Sequence, residues 1–155
     1  MVFTLRQMAA GGIRDHLAGG FHRYSVDDHW LVPHFEKMLY DNGLLAKAYV
    51  GAYRLTGLKD LSVIAEQTLE YLIKDMQAPE GGFYAARDAD SEGEEGLFYV
   101  WTLEELQSAL GSEKGKLFSR TYDVSESGNF EGRNIFTFLT NLMQCPDQRK
   151  SLGKN

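Results

Sequence analysis

Three kinds of scarcity bound what this chain can do. Cysteine occurs once in 155 residues, at Cys145, so no internal disulfide, no Cys-x-x-Cys redox pair and no thiolate set for zinc exists within it. A chain so poor in cysteine suits a reducing compartment, and a cytoplasmic location is the expectation. Basic residues are outnumbered, 16 Lys and Arg against 22 Asp and Glu, giving a net charge of −6. That balance excludes a non-specific nucleic-acid binder, whose affinity rests on clustered cations. Long apolar runs are lacking too: none approaches the ~18–20 residues of a membrane span. Met1 is not followed by the basic segment and apolar core of a signal peptide.

What remains is ordinary for a soluble globular protein, with 43% apolar and 25% charged residues. A chain of this length buries roughly 70% of its unfolded surface, enough for one domain with a real core. "MVFTLRQMAAGG" begins at once with helical spacing and no N-cap in front, so the expectation is a start inside a helix of a longer protein. The stretch 141–155, ending "CPDQRKSLGKN", reads as a polar tail.

Between these ends, "PHFEKMLYDNGLLAKAYVGAYRLTG" predicts a helix from Pro33, at home in a first turn, to Gly57 at its C′ position. Phe35, Met38, Leu39, Leu45, Ala46 and Tyr49 fall near one stripe. Gly43 inside it predicts close packing against a neighbour. "DLSVIAEQTLEYLIKDMQ" carries a second apolar face, and the short link makes the two an antiparallel helical hairpin. Two aromatic runs, Phe83 to Arg87 and Leu97 to Trp101, flank an acidic loop and predict an inserted β-hairpin. Thr102 and Glu105 predict a capping box for "LEELQSAL", which Gly111 ends. "KLFSRTYDV" reads as a further short helix, "SESGNFEGRN" as a loop and "IFTFL" as a strand or buried run. "GGFHRY" at Gly19 and "GGFYAA" at Gly81 echo each other about sixty residues apart, the spacing of a helical hairpin plus its loop.

The chemistry concentrates in "GGFHRYSVDDHWLVPHFEKM". His22, Arg23 and Tyr24 leave a glycine pair, and Trp30 offers the flat face on which a sugar ring stacks. On the predicted helix, His34, Lys37 and Asp41 share one face, with Glu36 and Tyr40 on the adjacent one. His22 and His34 are the candidate acid–base residues, since a neutral imidazole titrates near pH 6.5. A plain structural role competes throughout. Lys37–Asp41 reads equally as a helix-surface ion pair, and Asp27 and Asp28 as complements to a helix dipole. No metal is expected: His16, His22, His29 and His34 lack zinc-helix spacing. The calcium-like series Asp88, Asp90, Glu92, Gly93 has Tyr99 where a bidentate Glu belongs. Asp88 and Asp90 serve either to cap a turn or to offer carboxylates to sugar hydroxyls. Cys145, beside Pro146, has nothing near it in sequence to activate it.

"GGIRDHLAGGFHRYSVDDHWLVPHFEKMLYDNGLLAKAY", "GGFYAARDADSEGEEGLFYVWT" and "GNFEGRNI", in that order, resemble the spermatogenesis-associated protein 20 family, also described as thioredoxin-domain-containing proteins of the DUF255 type. The resemblance runs from about Phe3 to Phe138. It implies an N-terminal thioredoxin-like domain followed by an α/α toroid like that of six-hairpin glycosidases and N-acylglucosamine 2-epimerases, of which this chain resembles only part of the toroid. The expected fold is therefore mainly α: residues 1–140 form an incomplete α/α-toroid segment with an inserted β-hairpin. The implied function is carbohydrate handling, epimerase- or isomerase-like, with little activity expected of this segment alone. A sugar would lie over Trp30 and Tyr24, positioned by His22, Arg23, Glu36 and Asp41, with Asp88 and Asp90 at the rim and no cofactor. The alternative is a non-catalytic scaffold for the thioredoxin-like domain or for a partner. An incomplete ring also predicts self-association through a face such as Leu61–Leu69–Met76.

Overall fold

The structure is a computed structural model and describes residues 1–138. The polar tail and Cys145 lie outside that range. About half of the described chain is helical, and the strands are short antiparallel ladders, so the fold is mainly α.

Helix α1 (Val2–Ala10) packs onto the hairpin of α2 (Leu39–Thr56) and α3 (Lys59–Tyr71). Gly57 closes α2 in the left-handed conformation that a C′ residue adopts, and Leu58 leads directly into α3. Leu5, Ala9, Tyr49, Ala52, Leu61, Ile64 and Ala65 interlock in this first core. Phe21 stacks on Tyr49 there, with ring centroids 5.5 Å apart, and the Tyr49 hydroxyl donates to Leu5 O at 2.6 Å. Past Tyr71 the helix widens into a π turn, Leu72–Met76. Leu61 and Met76 are buried, while Leu69 and Ile73 are 45% and 60% exposed, so the apolar face of α3 is only partly covered.

The helix expected from Pro33 begins at Leu39. Residues 33–38 are extended instead, and they alternate: Pro33, Phe35 and Lys37 are buried, whereas His34, Glu36 and Met38 are less so. Strand β1 (Tyr24–Ser25) pairs with β2 (Pro33–His34), and β3 (Lys37–Met38) with β4 (Ala86–Arg87). A lysine in an inward position made this period of two look like a helical turn. The loop between β1 and β2 is built on Asp27, whose carboxylate accepts from the backbone N–H groups of His29, Leu31 and Val32. Asp27 therefore organises a turn and complements no helix.

The inserted β-hairpin is also replaced. Ala86–Arg87 is taken by β3, and only β5 (Asp90–Ser91) and β6 (Glu94–Glu95) pair within the acidic loop. Gly96 then lies flat against the Phe35 ring with φ +76°, which turns Leu97–Tyr99 into a single 3₁₀ turn instead of a strand. The Thr102–Glu105 capping box is present at α4 (Leu103–Leu110), Gly111 ends it, and α5 (Ser112–Thr121) follows. Ile135 is buried with Phe35, Ala89 and Val100 in a second core, and Phe136 packs with Trp101 and Phe118.

The two Gly-Gly-Phe stretches are the same device. In each, both glycines have positive φ and the phenylalanine bridges back to the segment before the turn, Phe21 to Arg14 and Phe83 to Gln77. Their fates differ, since Phe21 is fully buried and Phe83 half-exposed.

Asn42 fastens the first of these turns to the helical hairpin. Its wholly buried amide accepts from Phe21 N (2.7 Å) and donates to Phe21 O and Met38 O (2.9 Å each). Asn42→Ala strands both Phe21 groups in the core and is expected to cost about 3 kcal/mol by urea unfolding. Neighbouring Gly43, contrary to expectation, has nothing within 4 Å of an added Cβ. Gly43→Ala is expected to stabilise by about 0.5–1 kcal/mol in the same assay.

Candidate functional site

The residues from Gly11 to Gly20 cross the returning chain at Trp30 and Leu31 so closely that side chains at Gly11 and Gly12 would strike backbone. The crossing, sealed by Ile13 N donating to Trp30 O at 3.1 Å, leaves Arg14, Asp15 and His16 along one side of a cavity. Phe98, Tyr99 and Trp101 also line it, with His22, Phe35, Ile135 and Phe136 completing the walls. Its volume of about 360 Å³ falls within the range of small-ligand pockets.

Backbone carbonyls set the tautomers of both cavity histidines. His22 donates from Nδ1 to Phe35 O at 2.9 Å, leaving Nε2 as an acceptor, and its ring meets the Tyr99 ring edge-on at 4.6 Å. His16 donates from Nε2 to Gly11 O at 3.0 Å, and its Nδ1 accepts from Arg14 at 3.4 Å. Burial, reinforced by Arg14, lowers the His16 pKa to about 4; burial and the Lys37 charge lower that of His22 to about 3. Both rings are neutral at physiological pH. They serve as fixed hydrogen-bonding groups with one free or weakly held nitrogen each.

Beneath this cavity lies Lys37, 1% exposed. Its ammonium donates to Asp15 Oδ2 at 2.8 Å and to Gly19 O at 3.0 Å, and stands 4.4 Å from the Tyr71 ring centroid and 5.1 Å from that of Tyr99. Burial pulls the Lys37 pKa down against the opposing attraction of Asp15. Burial pushes Asp15 up, but the Lys37 charge and the N–H groups of Ala18 and Leu17 outweigh it and hold the carboxyl below its usual range. The pairing of Lys37 with Asp41, read from the predicted helix, is absent.

Most of the residues singled out in the sequence do meet, though on the outer surface. Arg23 pairs with Glu36 Oε2 at 2.9 Å; His34 donates to Glu95 Oε1 at 2.7 Å and stacks on Tyr24 with centroids 5.0 Å apart. Asp41 borders this group, its carboxyl raised by burial against the charge of Arg23. These groups bind one another. Trp30 packs against the first core, apart from the cavity. The Asp88 carboxylate caps a turn through Asp90 N at 3.2 Å, and Asp90 sits in β5. Of the candidate residues only His22 lines the cavity. Asp15, Lys37, Tyr99, Phe98 and Trp101 were missed. The alternation through Phe35 and Lys37 and the aromatic run ending at Trp101 were the signals that could have found them. Among the described residues, no group of three or more His, Cys, Asp or Glu side chains could hold a metal ion, and no helix is long and apolar enough to cross a membrane.

A helical hairpin carrying a loop-built aromatic cavity thus defines a mainly α protein with a small-molecule-sized site. Its relatives bear a name. The chain is 43% identical to spermatogenesis-associated protein 20 of Homo sapiens over 164 residues, covering 90% of this chain and 21% of the relative. It is 43% identical to the Mus musculus protein of the same name over 141 residues, covering 81% of this chain and 18% of the relative. An uncharacterized protein of Caenorhabditis elegans is also 43% identical over 141 residues, with 81% and 19% covered. These relatives support the spermatogenesis-associated protein 20 family as the one this chain resembles, and the chain spans about a fifth of their length. No family model matches the chain.

Because His16 and His22 bind protons more weakly folded than unfolded, the unfolded chain takes up more protons below pH 6.5. Stability therefore falls as pH drops from the unfolded value toward about 4 and 3. Between pH 7 and pH 5 each histidine is expected to remove about 2 kcal/mol. Urea unfolding across that range should show the loss, and His16→Asn with His22→Asn should flatten it.

Proposed function

We propose that this chain supplies part of the ligand site of a larger carbohydrate-handling protein, whose further helical hairpins complete a six-hairpin glycosidase-like α/α toroid. The observation that carries this reading is the cavity lined by Phe98, Tyr99 and Trp101 together with His16, His22 and Arg14. Aromatic faces suit the C–H face of a sugar ring, and fixed hydrogen-bonding groups suit its hydroxyls. The stacking platform in this reading is the 98–101 run, in place of Trp30 and Tyr24.

Recognition is the stronger form of the proposal. Epimerase- or isomerase-like proton transfer calls for a base poised near neutrality, and burial holds both cavity histidines well below it. A second reading, a non-catalytic scaffold serving a thioredoxin-like domain or another partner, is favoured by the exposed Leu69 and Ile73 on one side of α3 and its π turn.

Isothermal titration of the intact protein with a panel of monosaccharides is the deciding measurement. At least one sugar is expected to bind, and Phe98→Ala, at a position 61% exposed and therefore cheap for folding, to weaken it about tenfold. Silence across the panel would sink the carbohydrate reading and leave the scaffold.

A further inference from the structure

Next to the large cavity lies a second, smaller chamber of about 60 Å³, and the two share Asp15, Ala18, Phe98 and Tyr99 as walls. A water molecule needs only about 10–15 Å³ of such space, so the chamber has room for a carboxyl group.

Its lining is rich in hydrogen-bond donors. Lys37 has three N–H groups, of which Asp15 and Gly19 O take two. The Tyr71 hydroxyl is shut off from solvent on a side chain 1% exposed and makes no hydrogen bond among the described residues. Arg87 lines the same chamber and touches Asp75 only loosely, at 3.4 Å.

The carboxylates in its wall, by contrast, face cations already. Asp15 Oδ1 holds the N–H groups of Leu17 and Ala18, and Oδ2 holds Lys37. Asp75, the other carboxylate in the wall, is about one-third exposed and faces Arg87. Two cations and an unpartnered buried hydroxyl around one small space form the donor set that recognises an oxyanion. The helix bearing Tyr71 widens into its π turn at this wall, a distortion that recurs at functional sites.

We infer that this chamber is a carboxylate-reading subsite: Lys37, Arg87 and the Tyr71 hydroxyl take the acid group of a ligand whose ring lies against Tyr99 and Phe98 in the larger cavity. The inference rests on the ligand-pocket reading above and narrows it from neutral sugars to sugar acids. Tyr71 is the informative position, because its hydroxyl has no bond within the fold to lose.

The test titrates the intact protein with glucuronate, glucose and benzoate, alongside Tyr71→Phe and Arg87→Gln, with melting temperature as the control for folding. Glucuronate is expected to bind at least about tenfold tighter than glucose. Tyr71→Phe should erase most of that preference at an unchanged melting temperature, with Arg87→Gln weakening it in parallel. Equal affinity for glucuronate and glucose, or a preference untouched by both substitutions, overturns the subsite and leaves the carbohydrate reading standing. Benzoate bound without either sugar, and lost in Tyr71→Phe, upholds the subsite and overturns the carbohydrate reading. No binding of any of the three overturns both. Should Tyr71→Phe fail to fold, Arg87→Gln carries the same comparison.

Discussion

The contact between Lys37 and Asp15 is the constraint on which the rest of this structure depends. An ammonium removed from water must be met by a carboxylate and further acceptors, and breaking such a pair by deleting one partner costs roughly 3–5 kcal/mol. Here the pair joins four parts of the chain. Asp15 also closes the turn that leads into Gly19 and Gly20, and Gly19 O is itself a partner of Lys37. Lys37 belongs to β3, which reaches across to β4, and its charge lies over the rings of Tyr71 and Tyr99. The glycine turn, the small ladder, the end of α3 and the 97–99 turn are therefore held in one arrangement by one nitrogen.

That arrangement separates two polar neighbourhoods of opposite character. On the outer surface Arg23 and Glu36 pair across the β1–β2 ladder, and His34 ties β2 to β6 through Glu95. Inside, the histidines are neutral and fixed by carbonyls, and the buried Tyr71 hydroxyl has no partner among the described residues. A network that answers its own needs has little left for a ligand. The inner group has capacity to spare.

Legibility in the sequence followed how local each interaction is. The α2–α3 hairpin, the Gly57 stop and the Thr102–Glu105 box were readable because the deciding contacts fall within a few residues of one another. The segment Pro33–Met38 was misread because Lys37 is buried by Asp15, a partner 22 positions away that no periodicity reveals. The aromatic run at Leu97–Trp101 was legible as important but not as a wall, since its shape depends on Gly96 lying against Phe35. His22 was found through its glycine pair, whereas His16 carried no sign beyond its residue type. The toroid and any thioredoxin-like partner domain came from resemblance alone.

The cavity walls include Gly12 near one end of the described chain and Ile135 and Phe136 near the other. During synthesis the α2–α3 pair, made of near neighbours, closes as soon as it leaves the ribosome, while contacts between distant segments wait. A nascent chain stalled ahead of Ile135 would carry the hairpin with an open trough beside it. Sealing that trough therefore waits for Ile135 and Phe136 to emerge, and any molecule held there meets the protein only after translation has passed this point.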